Sequence, residues 1–371
     1  TMSKVLFNIP YKLKNFRKFK SLETFAGNGY WTKSVQKKLE RKYFFKKVLL
    51  TDSCTSALEI SALSLKLKKN EEVIIPSYAY PTTASAFLRC GYKIKFVDCN
   101  ANDPRINHSH FLKVLNKNTK AVVIVHHAGQ PEDINFFLKL KKKYKFKIIE
   151  DAAQCIDLKV GKKYLGSYGD FGCISFHESK NLHSGLGGAV IINNTDYSET
   201  AHYVWERGTN RRDFDNKRIS KYTWIEVGSN FYPSEFQALY LYYQLQDISK
   251  IQKKRKEIFN LYVSNLNNLI LSNKITGMNT KLKSNYHMKY ILLKNRKERD
   301  QIKKYLEKKG IHTVSHYEPL HLSKVGKKIS VKNLKNSKNF SDRILRLPLH
   351  VYLSKKNIKF VCKSIENYFL A

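Results

Sequence analysis

The sequence predicts an α/β protein: a large domain on a mostly parallel sheet with helices on both faces, then a smaller C-terminal α/β domain. Three observations predict it. From residue 47 to about 195, β-branched runs alternate with helical stretches, and nearly continuous apolar strands are what a sheet covered on both faces requires. At 371 residues the chain exceeds one ordinary compact core. After about residue 245 the texture changes, and a long charged helical stretch opens a second α/β region. The expected division is therefore 1–245 and 246–371.

The elements follow in order. KVLLT (47–51) is a strand, and DSCTSALEISALSLKL after it has helical spacing with an acid and small hydroxyls at its head. EEVIIPS (71–77) is a strand ending at proline, and TTASAFLRCG (82–91) a helix closed by glycine. KIKFVD (93–98) and AVVIVHH (121–127) are strands, and INFFLKLKKKY (134–144) a helix. KIIED (147–151), FGCISF (171–176) and GGAVIIN (187–193) complete the large sheet. Beyond the charged helix SKIQKKRKEIFNLYVSNLNNL, NYHMKYILLK (285–294) reads as a strand and KERDQIKKYLEKKG (297–310) as a helix. IHTVSHY (311–317) reads as a further strand, and FVCKSIENYF lies in a C-terminal helix.

Composition excludes several classes. The net charge is +38, but only 13 of the 68 basic residues are arginine, and base readout favours arginine. A solvated lysine-rich surface is expected, with no nucleic-acid partner. No apolar run approaches a membrane span, so no membrane insertion is expected. The start has no signal-peptide pattern. Six scattered cysteines without a C-x-x-C pair argue for reduced thiols in the cytoplasm, and no metal site is expected.

In a sheet of this kind ligands sit at the carboxyl ends of the strands. KIIED delivers Asp151 there, with Gln154 just beyond. FGCISF delivers Ser175 and His177, then Lys180 in a polar turn. AVVIVHH ends in His126 and His127. EEVIIPS leads to Tyr78 and Tyr80. KVLLT leads to Thr55 and Ser56 at a helix N-terminus, a ready anion site. A lysine amine condenses with an aldehyde, a carboxylate holds a proton on a ring nitrogen, an aromatic side chain covers a ring face, and helix-terminal amides hold a phosphate. Together these describe a site for pyridoxal 5′-phosphate (PLP).

The stretches EDAAQ (150–154), SFHESKN (175–181), GLGGAVI (185–191) and PSYAYPTTASAF (76–87) resemble the DegT/DnrJ/EryC1/StrS family of nucleotide-sugar aminotransferases. The resemblance runs the whole chain. GNGYWTKSVQKKLE (27–40) is similar to the family's opening loop and helix, SCTSAL (53–58) to its phosphate turn, and VHHAGQPEDI (125–134) to the strand end beside the cofactor. VGSNFYPSEFQAL (227–239) is similar to the segment that reaches the partner subunit, and HYEPLH (316–321) to the small-domain strand.

The resemblance implies a fold-type-I PLP aminotransferase. It implies that Lys180 binds the cofactor and moves the proton, that Asp151 pairs with the ring nitrogen, and that Gln154 and His177 lie beside the ring. Tyr80 stacks on it. Thr55, Ser56 and Ser175 hold the phosphate, helped by Asn230 of the other subunit, which implies a homodimer with shared active sites. SFHESKN, RGTNRRDF (207–214) and KYTWIEVGSN (221–230) resemble enzymes that aminate dTDP-4-keto-6-deoxy-D-glucose at C4, with L-glutamate as donor, for O-antigen and other surface polysaccharide. Arg211, Arg212, Arg218 and Lys221 would meet the nucleotide diphosphate, and His316 and Tyr317 the substrate. Leu186 departs from the family, which has an acid there. The galactose-configured product, a 3-keto or UDP-linked sugar, and a non-catalytic regulatory protein that binds nucleic acid through its charge are the competing expectations.

Overall fold

The computed structural model describes residues 4–14, 22–329 and 334–370. The large sheet contains β1 (Val48–Thr51), β2 (Glu72–Pro76), β3 (Lys93–Val97), β4 (Thr119–Val125) and β5 (Lys147–Asp151). A two-stranded hairpin, β6 (Lys159–Val160) and β7 (Lys163–Tyr164), precedes its last members, β8 (Phe171–Ser175) and β9 (Gly188–Ile192). The strand order is β1-β9-β8-β5-β4-β2-β3. The run from β3 to β8 is parallel, and β9 is antiparallel to both β8 and β1.

The two faces of the sheet are sorted by the alternation of a strand. Val48, Leu50, Ile74, Val122, Ile124, Ile148, Ile174 and Ile191 enter one core. Leu49, Val73, Ile75, Val123, Ile149, Cys173, Val190 and Ile192 enter the other. Because both faces are covered, apolar residues follow one another in the middle of these strands instead of alternating with polar ones. The helix Cys54–Leu65 starts where Ser53 caps it, its hydroxyl accepting from Ser56 N at 3.1 Å. The helix Ile134–Tyr144 is capped by Asp133 and stops at Lys145 in the left-handed region. Among the described residues, no helix is long and apolar enough to cross a membrane.

The second unit has its own core around an antiparallel sheet of β10 (Thr276–Gly277), β11 (Lys289–Leu292) and β12 (Ile344–Leu347). The helices Ile248–Asn265, Arg296–Lys308 and Lys355–Leu370 pack beside one another here. One expected strand is corrected. Residues 311–317 make only isolated bridges, Ile311 to Val5 and Val314 to Arg346. The chain there crosses from one partner to another, so no continuous ladder forms. The strand role falls to ILRL (344–347), which pairs with β11. The N-terminal segment also belongs here in its packing: Val5 N donates to Gly310 O at 2.9 Å, and Leu349 N to Phe7 O at 3.2 Å.

Candidate active site

Parallel pairing of β5 with β8 sets Asp151 opposite Cys173, so the two strand ends are neighbours. Beyond β8 the chain closes a tight loop. Phe176 N donates to Gly187 O at 2.8 Å, Glu178 N to Gly185 O at 2.7 Å, and Lys180 N to His177 O at 2.9 Å. These bonds fix where the Lys180 side chain starts. Among the described residues its amine has no ion pair or hydrogen bond, and it is only partly exposed. Its charge is felt at Asp151, Cys54, Cys155 and His287.

Asp151 is 5% exposed. Its Oδ2 accepts from the Thr83 hydroxyl at 2.8 Å and its Oδ1 from Ala153 N at 3.2 Å. Burial pushes the carboxyl above its usual range, while Thr83, Ala153 and the Lys180 charge pull it partly back. No cation is hydrogen-bonded to it among the described residues. A protonated ring nitrogen is the partner such a carboxylate lacks.

Gln154 connects the two units. Its Oε1 accepts from Ala128 N at 2.7 Å, and its Nε2 donates to the Tyr317 hydroxyl at 3.3 Å. Asn285 braces it, with Nδ2 on Gln154 O at 2.8 Å. Tyr317 lies edge-on to Tyr80 at 5.7 Å, and Tyr80 is half exposed at the head of the helix Pro81–Arg89. Tyr78 is buried and packs on His127 and Tyr317, and its hydroxyl donates to His316 O. His127 donates from Nε2 to Tyr78 O at 2.7 Å, and burial lowers its pKa to about 4, so it is neutral. The His177 ring turns back onto the Ser179 hydroxyl at 2.9 Å.

At the expected phosphate end, Ser175 is buried at the tip of β8 and accepts from His177 N at 3.3 Å. Ser56 is less free: its hydroxyl donates to Asp52 and meets Ser53 Oγ at 2.9 Å. Gly188 explains part of the glycine-rich segment. A Cβ there would stand 2.4 Å from the Ser53 carbonyl carbon and 2.5 Å from Cys54 N. Only glycine lets β9 pass so close beneath the N-terminus of the helix Cys54–Leu65.

Arg211, Arg212, Arg218, Lys221 and Asn230 lie together on an exposed excursion between residues 206 and 230. Arg211 faces Asp215 at 3.7 Å, and Arg218 faces Asp213 at 3.6 Å. Among the described residues they make no bond to the Lys180 network. Phe231, at the end of this excursion, accepts from Asp52 N at 3.1 Å and so anchors it to the phosphate turn.

Several supporting residues escape sequence reasoning. Thr83 orients Asp151 from another strand's helix, and Asn285 reaches Gln154 from the second unit. Behind Asp151, His126 accepts from Glu132 N at Nδ1, so its Nε2 proton goes to buried Glu150 at 3.0 Å. Their partners lie far away in sequence, so spacing carries no signal. The EDAAQ motif marks Glu150 but not its contact.

A buried carboxylate without a cation, an unpaired lysine amine at the adjacent strand end and a capped helix N-terminus pressed against glycine fit an aromatic cofactor with a basic ring nitrogen, an aldehyde and a phosphate. The fold and this site together define a PLP-dependent aminotransferase. The chain belongs to the DegT/DnrJ/EryC1/StrS aminotransferase family, whose model matches residues 12–366. A similar relative is the GDP-perosamine synthase of Escherichia coli O157:H7, 25% identical, with 93% of this chain and 92% of that protein covered. The fold is that of Helicobacter pylori PseC, an aminotransferase involved in pseudaminic acid biosynthesis (TM-score 0.92, 23% identity, 99% and 100% of the two chains). It is also similar to the PLP form of the sugar aminotransferase Spr1654 of Streptococcus pneumoniae (TM-score 0.89, 21% identity, 98% of each chain). The protein is a PLP-dependent sugar aminotransferase.

Proposed function

We propose that this enzyme moves an amino group from L-glutamate to C4 of a nucleoside-diphosphate 4-keto-6-deoxyhexose. The first candidate is dTDP-4-keto-6-deoxy-D-glucose, giving the 4-amino-4,6-dideoxy-D-glucose product for O-antigen or other surface polysaccharide. The division of labour falls near residue 245, with the site between the two units. The observation that supports the chemistry is the pairing of β5 with β8, which makes neighbours of the strand that ends in Asp151 and the strand that leads to Lys180.

When bound, PLP supplies an electron sink through which an amino group and a proton can leave one carbon and be delivered to another. Asp151, buried and already raised toward its neutral form, keeps the proton on the ring nitrogen and gains the cation that it lacks. Lys180 first holds the cofactor. Freed by the donor, its amine takes the proton from the donor's α-carbon and later places one on the sugar carbon. Thr83 fixes the Asp151 rotamer. Gln154 and Tyr317, hydrogen-bonded to each other from the two units, and Tyr80 beside them would hold the cofactor's ring. Thr55, Ser56 and Ser175 hold the phosphate, with Asn230 of a partner subunit in a homodimer. Arg211, Arg212, Arg218 and Lys221 would meet the diphosphate of the nucleotide. L-glutamate leaves as 2-oxoglutarate, and the ketone oxygen leaves as water.

A second acceptor is favoured by the similarity to GDP-perosamine synthase, a GDP-linked sugar enzyme by its name. The experiment is incubation with PLP, L-glutamate and a panel of dTDP-, GDP- and UDP-linked keto-sugars, with NMR of the product. A large H3–H4 coupling from the dTDP substrate means an equatorial amine and supports the reading. A small coupling moves it to the galactose series. Turnover only with a GDP or UDP sugar replaces the nucleotide. No turnover with any member, from protein that holds PLP, ends the C4 assignment.

A further inference from the structure

A small cavity opens beside the Lys180 turn. Its volume is about 30 Å³, and Ser179, His287, Met288, Arg346, Phe7 and Asn8 line it. Ser179 immediately precedes Lys180 in the chain, and His287, another lining residue, feels the Lys180 charge.

Arg346 is the unusual member. It lies on β12, where it is 8% exposed. One guanidinium nitrogen donates to His316 Nδ1 at 3.3 Å, which makes His316 neutral with its proton on Nε2. The guanidinium also lies over the Phe7 ring, 5.2 Å from its centre. The Nε atom is buried with no hydrogen-bond partner. Among the described residues no carboxylate pairs with this side chain. A buried cation without an anion is costly, and proteins do not keep one without a compensating group.

The surroundings deepen the deficit. Arg255 is also buried, and it spends its donors on two carbonyls, Tyr286 O at 2.9 Å and His287 O at 2.5 Å. His287 is pushed well below its usual pKa, first by burial and then by the charges of Lys180, Arg255 and Arg346. It accepts no charge of its own, and its Nδ1 faces the Asn181 amide oxygen at 3.0 Å. Three cations thus converge on one neutral histidine at the wall of the cavity.

We propose that Arg346, with Ser179 and His287, forms the subsite that takes a carboxylate of the amino donor. The planar fork of arginine matches a planar carboxylate. A phosphate already has its place at the helix Cys54–Leu65. An anion held here lies beside Ser179, the residue before Lys180. This assignment rests on the reading of the enzyme as a glutamate-dependent transaminase.

The test separates donor from acceptor. Holoenzyme is mixed with L-glutamate alone, and the loss of its violet absorbance is followed. Arg346→Gln should raise the glutamate concentration for half-maximal rate by roughly 10- to 100-fold, the worth of one charged hydrogen-bond pair. The half-maximal keto-sugar concentration should change less than twofold. Arg346→Lys, which keeps charge but loses the fork, should fall between, and it serves alone if Arg346→Gln does not fold. In parallel, glutarate should raise the melting temperature of the wild type and not of Arg346→Gln. Equal glutamate dependence in wild type and variant overturns the proposal, as does a variant that loses PLP or sugar affinity instead. If wild type ignores L-glutamate but glutarate still protects it through Arg346, the choice of donor falls and the carboxylate site stands.

Discussion

Asp151 shows how a site residue is held against its own ionisation. A carboxyl whose folded pKa lies above its unfolded value contributes stability that is complete below the unfolded pKa and is lost as pH rises through the folded one. Ionising Asp151 in the apoprotein thus places a charge in a buried site with no cation hydrogen-bonded to it among the described residues, which costs stability. Asp151→Asn should melt no lower than wild type as apoprotein at pH 7, yet lose turnover by on the order of a hundredfold because the ring proton loses its partner. Differential scanning of the apo forms and steady-state rates of the holo forms check both halves. Lys180→Ala and Lys180→Arg should lose roughly 10²–10⁴-fold or more in turnover, and full activity in either ends the aminotransferase mechanism. Glu132 gives a pH signature. It is 4% exposed, and burial raises it to about 7 although Ile106 N and Asp133 N donate to it. Its contribution is thus present below about pH 4.5 and disappears as pH rises through about 7. Glu132→Gln should flatten the fall in stability over that window, an effect of about 3 kcal/mol at most. Urea melts at pH 5 and pH 8 measure it.

At the scale of elements, the decisive unit is β8, the Lys180 loop and β9. The loop is drawn tight by its own backbone bonds, and β9 slides under the helix Cys54–Leu65 only because Gly188 has no side chain. Gly188→Ala must push that helix N-terminus outward. The expected cost is about 1–3 kcal/mol of stability from overpacking. PLP should also be released more readily, since the displaced amides are those expected at the phosphate. Chemical denaturation and cofactor titration report the two effects. These elements were legible in the sequence because both sheet faces are apolar, and SFHESKN and GLGGAVI lie where β8 and β9 occur. The strand expected over residues 311–317 failed for a different reason. Ile311 and Val314 find different partners, Val5 and Arg346, and no local pattern reveals that a chain will change partners.

For the whole molecule, exposed apolar surface points to assembly. Phe25 (61% exposed) meets Phe236 (41%) at 5.5 Å, and Leu186 (58%) is joined to the same helix through Gln237 Nε2 on Leu186 O. Trp224 and Val227 extend the exposed apolar surface along the excursion that carries Asn230. Burying such a surface suits a partner subunit. Sedimentation should show a dimer. Phe236→Glu should shift it toward monomer and, if the site is shared through Asn230 as proposed, lower activity at least tenfold at equal PLP. A monomeric, fully active variant would show that each site is complete alone. The +38 charge is lysine-dominated and gives the molecule long-range repulsion that such an interface must overcome. Raising salt should therefore strengthen the dimer.

The sequence by itself determined the strands of the large sheet and the chemistry carried at their ends, including the residues expected at the cofactor. Each is encoded locally, by an apolar run followed within a few residues by Asp151, Ser175 or Lys180 at a strand end. Only the tertiary structure decided which distant groups complete them. Thr83 reaches Asp151, Asn285 fixes Gln154, and Arg346 faces the Lys180 turn from a strand more than 150 residues away. The physical reason is that hydrogen bonds and buried charges are settled by proximity in space, which strand pairing and core packing set and sequence spacing does not.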